Sequence, residues 1–162
     1  MKISFLKISD KEHELRIVRR DGSSDFSLCE TRSFLVHDLT HLAFELEAKI
    51  QNGFWGLVAQ GKTLSELSDR SMIADLSNEA EIMVIEKTVA ILQSLIKGRT
   101  PGNIVEEFWR QGSNFDWARS EWFELDFVTR VDQRLQGLFG RWKATKYGET
   151  MDIVWEDSQQ DL

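Results

Sequence analysis

The chain has 162 residues, of which 41% are hydrophobic and 29% are charged, and its formal net charge is −7. This length fits a single domain covering 1–162, and the composition excludes an intrinsically disordered chain. The negative charge disfavours nucleic acid as a partner, because binding to phosphates depends on clustered Lys and Arg.

The cellular compartment is indicated by what the sequence lacks. Cys29 is the only cysteine, so neither an internal disulfide nor a cysteine-rich zinc cage can form. Lys2, Ser4 and Lys7 interrupt the apolar residues near the N-terminus, which is not the pattern of a signal peptide. No stretch approaches the roughly 20 apolar residues that span a bilayer. We therefore expect a cytoplasmic protein without a membrane partner.

The first thirty residues predict a three-stranded antiparallel meander. Segments 2–8, 13–20 and 25–30 are short and rich in Ile, Val, Phe and Leu. Asp21-Gly22 separates the second and third segments, and this dipeptide favours a hairpin because Gly accepts the positive φ of a tight turn.

After the meander the apolar residues take helical spacing. A helix of about four turns is predicted from Phe34 to the Asn52-Gly53 stop signal. Its apolar residues are Leu35, Leu39, Leu42, Leu46 and Ile50.

Several further helices are predicted along the middle of the chain. Residues 54–60 suit a short helical turn, and Thr63 with Glu66 forms a capping-box pattern. Segment 78–97 is apolar on more than one face, which predicts a largely buried central helix. Thr100-Pro101 resembles a helix start, and another helix of about 18 residues should run from near Ser120 to Gly137.

The end of the chain returns to period two. Trp142 and Ala144 alternate with polar residues before the Tyr147-Gly148 turn, and Met151, Ile153 and Trp155 alternate after it. This pattern predicts a C-terminal hairpin. Strands at both ends imply an α+β fold, with a mostly antiparallel sheet of about five strands covered by four or five helices.

The most informative stretch is HDLTHLAFE at residues 37–45. At about 100° per residue, His37, His41 and Glu45 fall on one stripe of the helix, away from the leucine stripe. They must therefore meet water, a second layer of the protein or a partner. A solvated helix face, a metal site and a histidine-lined binding or dimer surface all remain open.

The metal interpretation rests on spacing. Imidazoles at i and i+4 can converge on one divalent ion such as zinc. The pattern also resembles H-E-x-x-H, with Asp38 in place of the general-base Glu. Glu45 lies about 12 Å along the helix from His37, so it would bind with His41, orient His41 or accept an ion pair. Further ligands must come from elsewhere, and the candidates include His13, Cys29 and Glu30.

The run VHDLTHLAFELEAKIQNGFWGLVAQG, from Val36 to Gly61, resembles the signature of a family of small uncharacterised bacterial proteins. In that family a His-Asp-Leu-x-His helix precedes a Gly-Phe-Trp-Gly segment, and Pro is expected before the first His, where this chain has Val36. The family has no established activity. The resemblance therefore implies a soluble bacterial protein and supplies no catalytic residues.

Aromatic and acidic residues provide weaker candidates. Phe54 and Trp55 either line a binding pocket or plug the core, and the core interpretation is the commoner one. The segments 114–117 and 121–124 are the best candidate for an exposed aromatic patch. The candidates for paired carboxylates in acid-base chemistry are Glu106, Glu107, Glu121, Glu124 and Asp126.

Two functions from different classes follow. The first is divalent-metal binding through His37 and His41, with Asp38 and Glu45 nearby. A bound ion would lower the pKa of its water, and Asp38 is the candidate catalytic residue for hydrolysis of a small substrate. The second is a nonenzymatic interaction or homodimerisation module that uses the polar helix face and the tryptophan-rich half.

Overall fold

The computed structural model describes residues 1–68, 79–112 and 122–156 of the protein. Within these ranges the fold is α+β, with a four-stranded antiparallel sheet whose inner face is covered by helices. The strands are β1 (Lys2–Lys7), β2 (Glu12–Val18), β3 (Ser24–Glu30) and β4 (Thr150–Val154). The helices are α1 (Val36–Ala48), α2 (Phe54–Ala59), α3 (Leu64–Ser68), α4 (Glu79–Leu92), α5 (Pro101–Gly112) and α6 (Leu125–Ala144).

The predicted N-terminal meander is confirmed. β1 pairs with β2 in a register that places Phe5 opposite Leu15, and β2 pairs in turn with β3. Gly22 takes φ +85° in the turn between β2 and β3, and the side chain of Asp21 accepts a hydrogen bond from the backbone N–H of Ser23 at 2.9 Å. Gly supplies the left-handed backbone of this turn without steric cost, as the sequence pattern indicates.

The predicted C-terminal hairpin is only half correct. β4 pairs with β1, so the strand order is β3-β2-β1-β4, but Trp142 and Ala144 belong to α6 and form no strand. Trp142 lies one helical turn beyond Leu138 and continues the buried stripe of α6. Over so short a segment, alternation and helical spacing cannot be told apart.

Lys7 stabilises the end of α6. Its Nζ donates to the carbonyl oxygens of Trp142 and Thr145, at 3.2 and 3.0 Å, and lies 5.0 Å from the centre of the Trp142 ring. A cation suits this position because the last carbonyl groups of a helix have no partners within the helix and carry partial negative charge.

The central helix of the fold is α1. The sequence pattern had predicted that segment 78–97 would form the central helix, and this prediction is wrong. Every residue from Asp38 to Glu45 is buried, because α1 packs against α6 on one side and against α2 and α4 on another. α4 has one buried face, and its Met83 side chain is exposed. α1 ends at Ala48, and the next residue, Lys49, takes a left-handed conformation three residues before Asn52, where the predicted stop begins.

Two helix starts agree with the sequence. Glu66 accepts from the backbone N–H of Thr63 at 2.7 Å, and Thr63 Oγ1 accepts from the N–H of Glu66 at 3.1 Å, which is the predicted capping box. Thr100 Oγ1 accepts from the N–H of Asn103 at 3.3 Å, and Pro101 is the first residue of α5.

We predict opposite effects on stability for two Gly→Ala variants. A Cβ at Gly56 would lie 2.1 Å from the backbone oxygen of Gln51, so Gly56→Ala should lower the free energy of unfolding by about 1–3 kcal/mol. A Cβ at Gly140, within α6, meets nothing within 4 Å, so Gly140→Ala should raise it by about 0.5–1 kcal/mol. Urea denaturation measures both changes, and equal shifts would contradict the close approach at Gly56.

Candidate metal centre

Two helices bring three metal-ligating side chains together. His37 and His41 are one turn apart on α1, and their ring centres are 4.5 Å from each other. Glu86 reaches them from α4, with Oε2 3.3 Å from His37 Nε2 and Oε1 3.1 Å from His41 Nε2. One ligand atom from each of the three residues lies within 4.8 Å of the other two.

These separations suit a metal ion. Bonds of about 2.0–2.2 Å in tetrahedral geometry place neighbouring ligand atoms roughly 3.3–3.5 Å apart. The two contacts with Glu86, at 3.3 and 3.1 Å, are close to that range. The group can therefore hold a metal ion after a small adjustment of side chains.

The stripe of α1 that carries His37, His41 and Glu45 is more buried than a solvated helix face would be. His41 and Glu45 are fully buried, and Asp38 is nearly so, because α2 and α4 form a second layer over this side of α1. The side chains of His37 and Glu86 are 35% and 42% exposed. The site is therefore closed at His41 and open at the edge formed by His37 and Glu86.

Glu45 does not belong to the group formed by His37, His41 and Glu86. Its carboxylate lies on the opposite side of the His41 ring, at Nδ1. Its Oε1 is 2.9 Å from Nδ1 of His41, and its Oε2 accepts from the backbone N–H groups of Trp55 and Gly56 at 3.0 and 3.3 Å. The carboxylate thus supplies the acceptor that the start of α2 needs.

The same contact explains the first glycine of the Gly-Phe-Trp-Gly segment. A Cβ at Gly53 would lie 2.3–2.7 Å from the carboxylate atoms of Glu45. Only glycine lets the chain pass this close to the carboxylate. The histidine helix and the following segment are therefore one structural unit.

Hydrogen bonding sets the orientation of both imidazoles. Because a carboxylate oxygen accepts, Nδ1 of His41 carries the hydrogen toward Glu45, and the neutral ring then has its lone pair on Nε2. Nδ1 of His37 faces Asp38 Oδ1 at 3.3 Å in the same way. Both Nε2 atoms are therefore directed toward Glu86.

The buried Nε2 of His41 has no hydrogen-bond partner within the described part of the chain, although Glu86 Oε1 is 3.1 Å away. The nitrogen and the carboxylate oxygen are close but not aligned with each other. The lone pairs on Nε2 of His37 and His41 repel the carboxylate of Glu86 unless a cation lies between them. Either protons or a metal ion can act as that cation.

In the metal-free protein, protons on the histidines act as the cation between the two Nε2 atoms and Glu86. Burial lowers the pKa of His37, but hydrogen bonds to Asp38 and Glu86 and attraction to their charges raise it to about 9. Burial also opposes the charge on His41, yet Glu45 and Glu86 raise its pKa above the ordinary value. Burial favours a neutral Glu86, but the hydrogen bond with His37 and attraction to the charges of both histidines lower its pKa well below the usual range.

The other candidate ligands lie elsewhere. Nδ1 of His13 is 3.1 Å from Thr31 Oγ1, and its ring packs near Phe5 and Trp142. The side chain of Glu30 accepts from two backbone N–H groups at the turn before α1. Cys29 lines a neighbouring cavity, and burial raises the pKa of its thiol. None of the three belongs to the group around Glu86.

The two aromatic candidates have different environments. Trp55 is fully buried, packs edge-on against Phe5 and donates from Nε1 to the carbonyl oxygen of Asp38 at 3.1 Å. Phe54 lies 5.7 Å from the His41 ring and lines the neighbouring cavity. The core interpretation therefore suits Trp55, and the pocket interpretation suits Phe54.

The predicted aromatic patch is only partly covered by the structure. Segment 114–117 and Glu121 lie outside the described residues. Trp122 is exposed, whereas Phe123 is buried and stacks on Phe108 at 3.6 Å. Of the acidic candidates, Glu107 is bound to Arg110.

Glu86 is the residue that the sequence analysis missed. It follows Ile85 on α4, at the edge of the buried stripe. Nothing in the local sequence separates it from Glu79 or Glu81, because its role depends on how α4 packs against α1.

We predict that the metal-free protein loses stability as the pH rises. The pKa of His37 is about 9 in the folded protein and 6.5 in its ordinary state, so the folded state holds more protons between these values. This contribution is full below pH 6.5 and is lost as the pH rises through 9. The lowered pKa of Glu86 acts in the opposite sense, so its contribution is lost as the pH falls below about 4.5.

The measurement is the free energy of unfolding at pH 6.5–9.5 after treatment with chelator. We expect a fall of about 1–2 kcal/mol, less than the full linkage value because solvent screens the exposed edge of the site. Glu86→Gln should flatten this dependence, and Glu81→Gln, on the exposed face of the same helix, should not. A wild-type profile as flat as that of Glu86→Gln would contradict the ion-pair geometry.

A second prediction concerns Glu45. Glu45→Gln keeps the shape of the side chain but removes the charge that faces Nδ1 of His41, so the pKa of His41 should fall toward its ordinary value of 6.5. NMR titration of the imidazole measures this change. Glu47→Gln is the matched control, because Glu47 pairs with Arg130 and Arg134 on the other side of α1. An unchanged His41 titration in Glu45→Gln would rule out this contact as the cause.

No protein-family model matches this chain, and no curated protein or solved structure matches it at a significant level. Among the described residues, no helix has the length and apolar character needed to cross a membrane.

Proposed function

We propose that the protein binds one divalent metal ion, such as zinc, through His37 Nε2, His41 Nε2 and the carboxylate of Glu86. One observation carries the proposal. One ligand atom from each of His37, His41 and Glu86 lies within 4.8 Å of the other two, and Nε2 of each ring is 3.3 or 3.1 Å from a carboxylate oxygen of Glu86, while Nδ1 of each ring faces another carboxylate. Carboxylates in that position orient metal-binding histidines and increase their basicity.

Glu86 supplies the third ligand that the histidine pair lacks. Two histidines and one carboxylate form a ligand set that catalytic zinc sites use, with the fourth position left for water or substrate. The same set also binds other first-row divalent ions. A divalent ion would displace the protons held by His37 and His41 and would still balance the charge of Glu86.

Asp38 and Glu45 act in this proposal as positioning residues. Asp38 contacts Nδ1 of His37, and Glu45 contacts Nδ1 of His41. Asp38 therefore takes the orienting role rather than that of a general base facing the substrate.

The catalytic form of the proposal is hydrolysis of a small substrate. A divalent ion would lower the pKa of its bound water toward 7 and so make hydroxide available near neutral pH. His37, His41 and Glu86 would hold the ion, and Asp38 and Glu45 would keep the two imidazoles oriented toward it.

Metal binding is tested by elemental analysis of untagged protein and by calorimetric titration of chelator-treated protein with zinc. We expect about one zinc per chain for the wild type and for Glu81→Gln. Glu86→Gln should bind at least about tenfold more weakly, and His37→Ala/His41→Ala should lose the metal. Glu86 is partly exposed, so its variant is expected to fold.

The competing explanation is that protons alone bridge the three side chains. In that case the wild type would bind no more zinc than the double histidine variant does. The proposal would then be wrong, and the cluster would be a partly buried ion-pair network that joins α1 to α4.

A further inference from the structure

A large cavity adjoins the candidate metal centre. Its volume is about 820 Å³, within the range of about 300–1,000 Å³ that is common for small-molecule sites. His37, Asp38 and Glu86 line one part of it. The remaining lining is mainly apolar, and its side chains include Leu15, Leu28, Phe34, Phe54, Leu67 and Met83.

The open edge of the metal centre faces this cavity. His37 and Glu86 are both partly exposed and both line the cavity, whereas His41 is fully buried. A fourth ligand can therefore approach an ion from the cavity side. That ligand would be the head group of a molecule whose body lies among the apolar side chains.

The charges around the centre restrict the head group. A divalent ion contributes +2, and the carboxylates of Asp38, Glu45 and Glu86 contribute −3. These groups therefore leave no excess of positive charge for a phosphate ester or another multiply charged anion. An uncharged oxygen donor fits this balance better.

We infer that the cavity binds a small compound with an apolar body and one oxygen-donor head group that contacts the metal. This inference rests on the proposed metal site and names its class of ligand. The apolar lining supplies affinity for the body, and the ion together with His37 and Glu86 sets the position of the head group.

The test uses hydroxamic acids of increasing chain length as probes of zinc-loaded protein. Acetohydroxamic, butyrohydroxamic and octanohydroxamic acids share a head group that binds zinc and differ only in the apolar body. Their affinity, measured by calorimetry, should rise about three- to fourfold for each methylene that enters the cavity. Octyl phosphate should bind more weakly than octanohydroxamic acid.

A cavity-filling variant locates the body of the ligand. Met83 lines the cavity from α4 and is 47% exposed, so Met83→Trp can fill the space with little risk to folding. It should weaken octanohydroxamic acid at least about tenfold and acetohydroxamic acid much less. Ala90→Trp is the matched control on the same helix, because Ala90 is exposed and is not part of this lining.

Zinc stoichiometry, measured in parallel, separates the two proposals. If zinc binds but affinity does not depend on chain length, or if Met83→Trp and Ala90→Trp behave alike, the inference is wrong and the metal site stands. Stronger binding of octyl phosphate would overturn the assignment of the head group. If the wild type binds no zinc, both proposals are wrong.

Discussion

The buried carboxylate of Glu45 is the contact on which the rest of the site depends. It lies between Nδ1 of His41 and the first backbone N–H groups of α2, with no exposure to water. A buried charge is tolerated only when hydrogen bonds and opposite charge replace its lost hydration. His41, Trp55 and Gly56 supply those partners. The orientation of His41 and the docking of α2 are therefore set by the same two oxygen atoms.

This arrangement links stability to the candidate function. Glu45 holds α2 over α1, and α2 places Phe54 beside the His41 ring and along the cavity. Glu86 joins α4 to the opposite side of the same ring. The contacts of Glu86 with His37 and His41 therefore join α4 to α1 at the candidate site.

Local sequence patterns predicted the elements in which neighbouring residues decide the conformation. Asp21-Gly22 forms its turn, Thr63 and Glu66 form their capping box, and β4 alternates buried and exposed residues as expected. The prediction of a strand at Trp142 was wrong, because a short alternating run also fits the last turn of a helix. Lys7, 135 residues away in sequence, caps that turn from β1 and helps to keep it helical.

The sequence by itself determined the histidine pair, its spacing on one helix and the nearness of Glu45 to His41, because a helix places residues four apart on the same face. It also determined that one glycine-bounded aromatic segment follows. Only the tertiary structure decided that this face is buried, that Gly53 makes room for Glu45 and that Glu86 completes the group. Those contacts join residues that are distant along the chain, and which of many carboxylates meets the histidines depends on how the helices pack.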